Sequence, residues 1–140
     1  MKVSIKPVLF LLLSSALLLG GCASFGPSAE ADAAEALHQF HEAEITGDVN
    51  GMVNAFSDTW SNSEGATKSV LRGYFEGAVA QGSFRNLTVD EDRIKYAVNG
   101  NIVTAEPVIY NAATAPATFV YKLKLESDGV WRIIRSDQIR

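Results

Sequence analysis

The spacing of apolar residues in this 140-residue chain changes character at Gly82. Before it they recur every three or four positions, and after it every second position. A helix repeats its buried face every 3.6 residues and a strand every two. One half of the chain is therefore confined to helices and the other to a sheet. The first helix is expected from about Ala29 to Thr46, where Ala, Glu, Leu and Gln dominate and neither Gly nor Pro intervenes. Its inner side gathers Ala33, Leu37, Phe40 and Glu44. Gly47 closes it, and Asp48 caps a second helix bearing Val49, Met52, Val53 and Phe56 at i, i+3, i+4 and i+7. Asp58 to Asn62 reads as a short strand or extended turn. A third helix is expected from its cap Thr67 to Gly82, with Val70, Leu71, Tyr74, Phe75 and Val79 facing inward.

The second half reads as a meander. Leu87 and Val89 make a short strand, and the acidic turn Asp90-Glu91-Asp92 follows. Ile94, Tyr96 and Val98 alternate with Arg93, Lys95 and Ala97. Asn99-Gly100 marks a hairpin, because both central residues of a type I′ turn need positive φ. Ile102 to Asn111 is the return strand, with Pro107 pointing to an edge position or a bulge. Phe119, Tyr121, Leu123 and Leu125 alternate along the next strand. Ser127-Asp128-Gly129 turns the chain, and Val130 to Ser136 closes the sheet. The expected class is α+β, with the N-terminal helices packed on one face of an antiparallel sheet.

Ahead of all this lie Lys2 and Lys6, a twelve-residue apolar run from Val8 to Leu19, and the one cysteine, Cys22. A helix needs about 20 residues to cross the hydrocarbon core, so the run reads as a secretion signal rather than a span. Leu19-Gly20-Gly21-Cys22 resembles the lipobox of signal peptidase II substrates. That resemblance implies a signal peptide at 1–21, lipidation of Cys22 with palmitate-type chains, and a tether at 22–30. The remainder, 31–140, is a single domain. Ala23, rather than Asp, follows the cysteine, which by the same resemblance favours the outer membrane facing the periplasm. The expected place is the bacterial cell envelope, with the membrane as a partner through the N-terminal anchor.

Cutting before Cys22 leaves 119 of the 140 residues, enough for one core without disulfides. The 12 basic residues fall to 10 once Lys2 and Lys6 are removed, against 16 acidic ones, a net charge of about −6. Affinity for nucleic acid comes from Lys and Arg on phosphates, so no nucleic-acid partner is expected.

Four short pieces, in order, carry a second resemblance. They are Gly47-Asp48, Ala55-Phe56-Ser57-Asp58-Thr59-Trp60, Leu71-Arg72-Gly73-Tyr74-Phe75 and Asp128-Gly129-Val130-Trp131-Arg132-Ile133. Together they resemble the nuclear transport factor 2-like superfamily, also called the SnoaL or ketosteroid-isomerase-like cone. The resemblance covers about residues 30–140. It implies a bent sheet wrapped round the helices, an apolar pocket inside the cone and frequent dimerisation through the sheet. It does not imply one function.

Ketosteroid isomerases use a carboxylate base and an oxyanion hole of a tyrosine and a neutral aspartic acid. Carried over by position, the tyrosine falls on Phe40, the base on Glu64 and the aspartate on Thr118. Only Glu64 has suitable chemistry, with Asp58 as the other candidate base. Phe40, Phe56, Trp60, Tyr74, Tyr110, Tyr121 and Trp131 are the candidates to line a pocket for a small apolar ligand. His38 and His41 stand at i, i+3 rather than the i, i+4 of metal-binding helix pairs, with Glu42 and Glu44 nearby and no third ligand in view. No metal or cofactor is expected. Three readings follow: an anchored, non-catalytic binding or accessory module, a SnoaL-like or isomerase-like enzyme, and a structural homodimer meeting at Lys122, Lys124 and Arg135.

Overall fold

A computed structural model describes residues 27–112 and 115–139. The expected signal peptide, Cys22 and the first part of the tether lie outside the described residues. Helix α1 spans Pro27–Thr46, starting two residues before the expected Ala29. Proline suits a first helical position, where its missing N–H has no partner to lose. Ala29 and Ala33 are already buried there. No helix among the described residues is long and apolar enough to cross a membrane.

Helix α2 is Val49–Asn54, and Asp48 caps it by accepting a 3.0 Å bond from the Gly51 amide. Phe56, expected as its last apolar residue, instead begins strand β1, Phe56–Ser61. A 3₁₀ turn at Lys68–Val70 leads into α3, Leu71–Ala80. Thr67 precedes that turn without a side-chain capping bond. The strands that follow are β2 Thr88–Val89, β3 Lys95–Asn99, β4 Ile102–Asn111, β5 Ala117–Leu125 and β6 Trp131–Ile139.

The sheet order is β1-β6-β5-β4-β2, and β3 pairs the first half of β4 where β2 pairs its end. All pairings are antiparallel except β1 with β6, which is parallel. That one departs from a pure meander, because β1 returns from the helical half to pair with the last strand. The Ile133 amide donates to the Ala55 carbonyl at 2.8 Å at this junction. Pro107 lies where the β4–β5 register slips between Ala105 and Val108, and between the stretches of β4 that pair β3 and β2. A proline has no ladder donor to lose at such a break. The hairpin forms at Asn99, but Asn99 pairs Ile102, so its loop is Gly100-Asn101. Positive φ is confined there to Gly100, at +60°.

The core lies between α1 and the concave face of the sheet. Leu37, Phe40 and Met52 meet Val103, Val108, Leu123 and Ile133, all at 2% exposure or less. In α3 the buried pair is Leu71 and Phe75, while Val70 and Tyr74, expected inside, are exposed, Tyr74 by 67%. Two adjacent i, i+4 stripes compete on that helix, and only one can face the sheet.

Candidate functional site

Helical spacing carries Glu44 inward one turn beyond Phe40 and His41. The Glu44 side chain is 5% exposed, and its Oε2 has no hydrogen-bond partner. Burial pushes its pKa up to about 8, offset only in part by the Tyr110 hydroxyl. A carboxyl deprived of water is cheaper neutral than charged, so Glu44 holds its proton at pH 7. Tyr110 on β4 and Tyr121 on β5 share a buried 2.9 Å bond between their hydroxyls. Both phenols are pushed well above their ordinary pKa, chiefly by burial. This interior cluster pairs one neutral carboxyl with two neutral phenols.

Around it the cone is filled by its own rings. Phe40 packs edge-on to Phe56 at 5.2 Å and to Tyr121 at 6.0 Å between centroids, and Phe56 packs edge-on to Trp60 at 5.4 Å. The seven expected pocket residues therefore do not share one cavity. Phe56, Trp60, Tyr110 and Tyr121 belong to the packed core, and Tyr74 lies outside it. Phe40 and Trp131 reach the floor of a groove of about 1180 Å³ between α1 and the β5–β6 hairpin. Acids dominate its walls: Asp32, Glu35, Glu42, Asp58, Glu126 and Asp128.

A second polar cluster lies where α1 meets the turn after β2. Glu91 receives His38 Nδ1 at 2.9 Å on Oε2 and His41 Nδ1 at 2.8 Å on Oε1. An ionised carboxylate only accepts, so both imidazoles carry their proton on Nδ1. His41 is 1% exposed and its Nε2 has no partner. Burial lowers the His41 pKa, although Glu91 opposes this, whereas the bond to Glu91 raises that of exposed His38. Burial pushes Glu91 up, but the two imidazoles outweigh it and hold the carboxylate below its usual range. The three side chains border a cavity of about 340 Å³ with Ile45, Leu87 and Val89. No group of three ligands suited to a metal ion occurs among the described residues.

Of the candidate bases, Asp58 is exposed and held by Lys68 at 2.8 Å, which keeps its carboxyl below the ordinary range. Glu64 sits in an exposed turn, where its amide donates to Asn62 Oδ1 at 3.1 Å. Neither faces the interior. Sequence reasoning placed Glu44 on the inner side without assigning it chemistry, and missed Glu91. An acidic triplet following a strand was the available signal for Glu91, but its partners lie 50 and 53 residues away.

No family model matches the chain, and no curated protein matches it. Solved structures do. A protein of unknown function with a cystatin-like fold from Nostoc punctiforme superposes with a TM-score of 0.64 at 16% identity, covering 81% of this chain and 91% of that one. A candidate ketosteroid isomerase from Shewanella frigidimarina gives 0.62 at 16% identity, covering 79% and 97%. An NTF2-like protein with a cystatin-like fold from Novosphingobium aromaticivorans gives 0.60 at 11%, covering 79% and 80%. Likeness at such identities establishes architecture alone. The chain has the cystatin-like fold of the nuclear transport factor 2-like proteins.

Proposed function

We propose that this chain is a lipid-anchored bacterial envelope protein whose folded domain is a non-catalytic binding or accessory module. The observation that carries the reading is the filled cone. The volume that would receive a small apolar substrate holds Tyr121, Phe40, Phe56 and Trp60, each ring packed on the next. The two candidate bases, Asp58 and Glu64, stand outside it. The lipobox-like Leu19-Gly20-Gly21-Cys22 supports the anchor. Two acyl chains or more hold a protein firmly where one holds it marginally.

Cells fed labelled palmitate test the anchor: the product is expected to carry label and to lose it in Cys22→Ser. An apolar fluorescent probe tests the filled cone. The native domain is expected to leave its emission unchanged, and saturable brightening would refute a closed interior.

One observation favours an enzyme instead. A neutral Glu44 beside Tyr110 and Tyr121 has the chemistry to donate hydrogen bonds to a developing oxyanion. On that reading, isomerisation of an unconjugated steroid enone would be catalysed by the native chain and lost in Glu44→Gln. Absence of turnover in the native chain removes it.

A further inference from the structure

The groove between α1 and the β5–β6 hairpin opens beside the filled cone, and its charge is one-sided. We infer that it docks an extended basic segment of a partner protein, with lysines or arginines on its acidic walls and the intervening apolar residues on its floor. The inference rests on the binding-module reading above and gives that module a partner. Seven carboxylates line the groove against two fixed cations, Lys68 and Arg132. That excess of five is most of the net charge of about −6 left after the expected cut. Asp58 engages Lys68, and Glu126 and Asp128 engage Arg132. His38, which also borders the groove, is bonded to Glu91. Among the described residues Asp32, Glu35, Glu42 and Asp48 have no cationic partner, and all four are exposed.

The walls face each other across the groove, α1 supplying Asp32, Glu35 and Glu42 and the hairpin supplying Glu126 and Asp128. A cleft with walls of one sign focuses the field between them. The hairpin wall is fixed, because Glu126 accepts from fully buried Ser57 and from Arg132. The backbone calls for the same sign of ligand. Thr46, in the last turn of α1, lines the groove, and that turn carries no basic residue. The negative end of the helix dipole is therefore left without a cation. Length and floor choose a peptide over a small cation. From Asp32 to Thr46 the groove follows about 21 Å of helix, which an extended chain covers in about six residues. The floor is apolar, with Ala36, Phe40, Ala43 and Trp131, and Val130 stands 44% exposed beside it. An extended segment turns alternate side chains to opposite sides, so apolar residues can meet the floor while the cations between them reach the walls. These acids also weaken the helix that carries them. Asp32 and Glu35 are like charges at i, i+3, and Glu42 stands toward the negative end. Groups kept for binding at such a cost leave the fold more stable when they are neutralised.

The full chain in neutral detergent tests this with two fluorescein-labelled heptapeptides, Lys-Val-Lys-Val-Lys-Val-Lys and its counterpart with Glu for Lys. Fluorescence anisotropy at low salt is expected to show saturable binding of the lysine peptide alone, weakening as salt is added. Glu35→Gln with Glu42→Gln is expected to weaken it about tenfold and to raise the unfolding temperature. Glu76→Gln with Glu106→Gln makes the same change of net charge outside the groove and is expected to change binding less than about twofold. A carbodiimide, which joins a lysine amine to a carboxylate as an amide with loss of water, is expected to link the peptide to the acids of α1 or to Asp48. The docking is overturned by the absence of saturable binding, by equal binding of the glutamate peptide, by equal losses in the two variants or by links outside the groove. A lower unfolding temperature in the groove variant overturns it too, by giving the acids a structural role. Spermine binding as tightly as the lysine peptide would make the groove a site for free polycations, and oligomers dispersed by the peptide would assign it to a second copy; either overturns the proposal. The label on Cys22 and the apolar probe read the anchor and the cone separately, so those readings stand or fall on their own.

Discussion

Two glutamates packed against the same helix system have been driven in opposite directions. Glu44, sealed inside the cone, has no partner for Oε2 and a pKa of about 8. Glu91, at the rim, has both oxygens occupied by imidazole N–H groups and a lowered pKa. Burial raises both, so the difference lies in what each carboxyl meets. An interior site that offers one phenol and leaves Oε2 bare keeps a carboxyl neutral, and a rim site with two imidazole donors makes it a charged clasp. The clasp ties α1 to the turn after β2. The sealed carboxyl makes the core sensitive to alkali.

The largest expected effect comes from pH. Glu44 binds its proton more tightly folded than unfolded, so stability falls as pH rises from about 4.5, where the unfolded chain ionises, to about 8, and levels off above. The full span is worth roughly 4–5 kcal/mol. Urea unfolding at pH 5 and pH 8.5 measures it, and Glu44→Gln is expected to abolish most of the slope. A slope unchanged by Glu44→Gln would mean that the site is wet. Next is Phe40→Ala, which removes the ring at the centre of the aromatic cluster and is expected to cost about 3–4 kcal/mol. It would also let an apolar fluorescent probe bind where the native chain excludes it. A small loss of stability with no probe binding would show that the neighbouring rings collapse into the gap.

The rim is expected to give less. Glu91→Ala strips both imidazoles of their acceptor and leaves buried His41 unsatisfied at Nδ1 as well as Nε2. Charge-assisted bonds are worth about 1.5–3 kcal/mol each, and solvent at a half-exposed carboxylate reduces this, so about 2 kcal/mol is expected. Glu91 contributes stability above the ordinary carboxylate range and loses it as pH falls through its lowered folded pKa. Native and Glu91→Ala proteins should therefore converge in acid and diverge toward neutrality. A constant gap would assign the loss to packing.

Much of this contrast was legible in the sequence, because it rests on period. Ala33, Leu37, Phe40 and Glu44 share one side of α1 by spacing alone, and all four are buried. The changes at Gly47-Asp48 and Gly82 were legible for the same local reason: a residue at positive φ and an acid able to cap. What escaped depends on distant partners. Phe56 fits a helical stripe, yet it starts β1 because β6 supplies a parallel neighbour 77 residues later. Tyr74 fits a helical stripe as well as Phe75 does, and only the position of the sheet chooses between them. Glu91 looked like one acid among three until α1 was laid beside it. Whether the rings line a cavity or pack on one another was illegible too, since the same residue types serve both, and here Phe40, Phe56, Trp60 and Tyr121 pack together.

The smallest effect separates the two phenols that bound the sealed region. A neutral hydroxyl pair is worth about 1 kcal/mol net, so Tyr121→Phe is expected to cost about that much. Tyr110→Phe should cost a similar amount for the shared bond but do something further. The Tyr110 hydroxyl bonds to Glu44 and opposes the upward push on it, whereas the Tyr121 hydroxyl bonds to Tyr110 and not to the carboxyl. Removing the Tyr110 hydroxyl should therefore carry the Glu44 transition to higher pH, while removing that of Tyr121 should leave it in place. Stability profiles of the two variants against pH resolve this even where their losses at pH 7 are equal. Identical profiles would place the two hydroxyls equally far from the carboxyl and reduce the cluster to a tyrosine pair with Glu44 as a bystander.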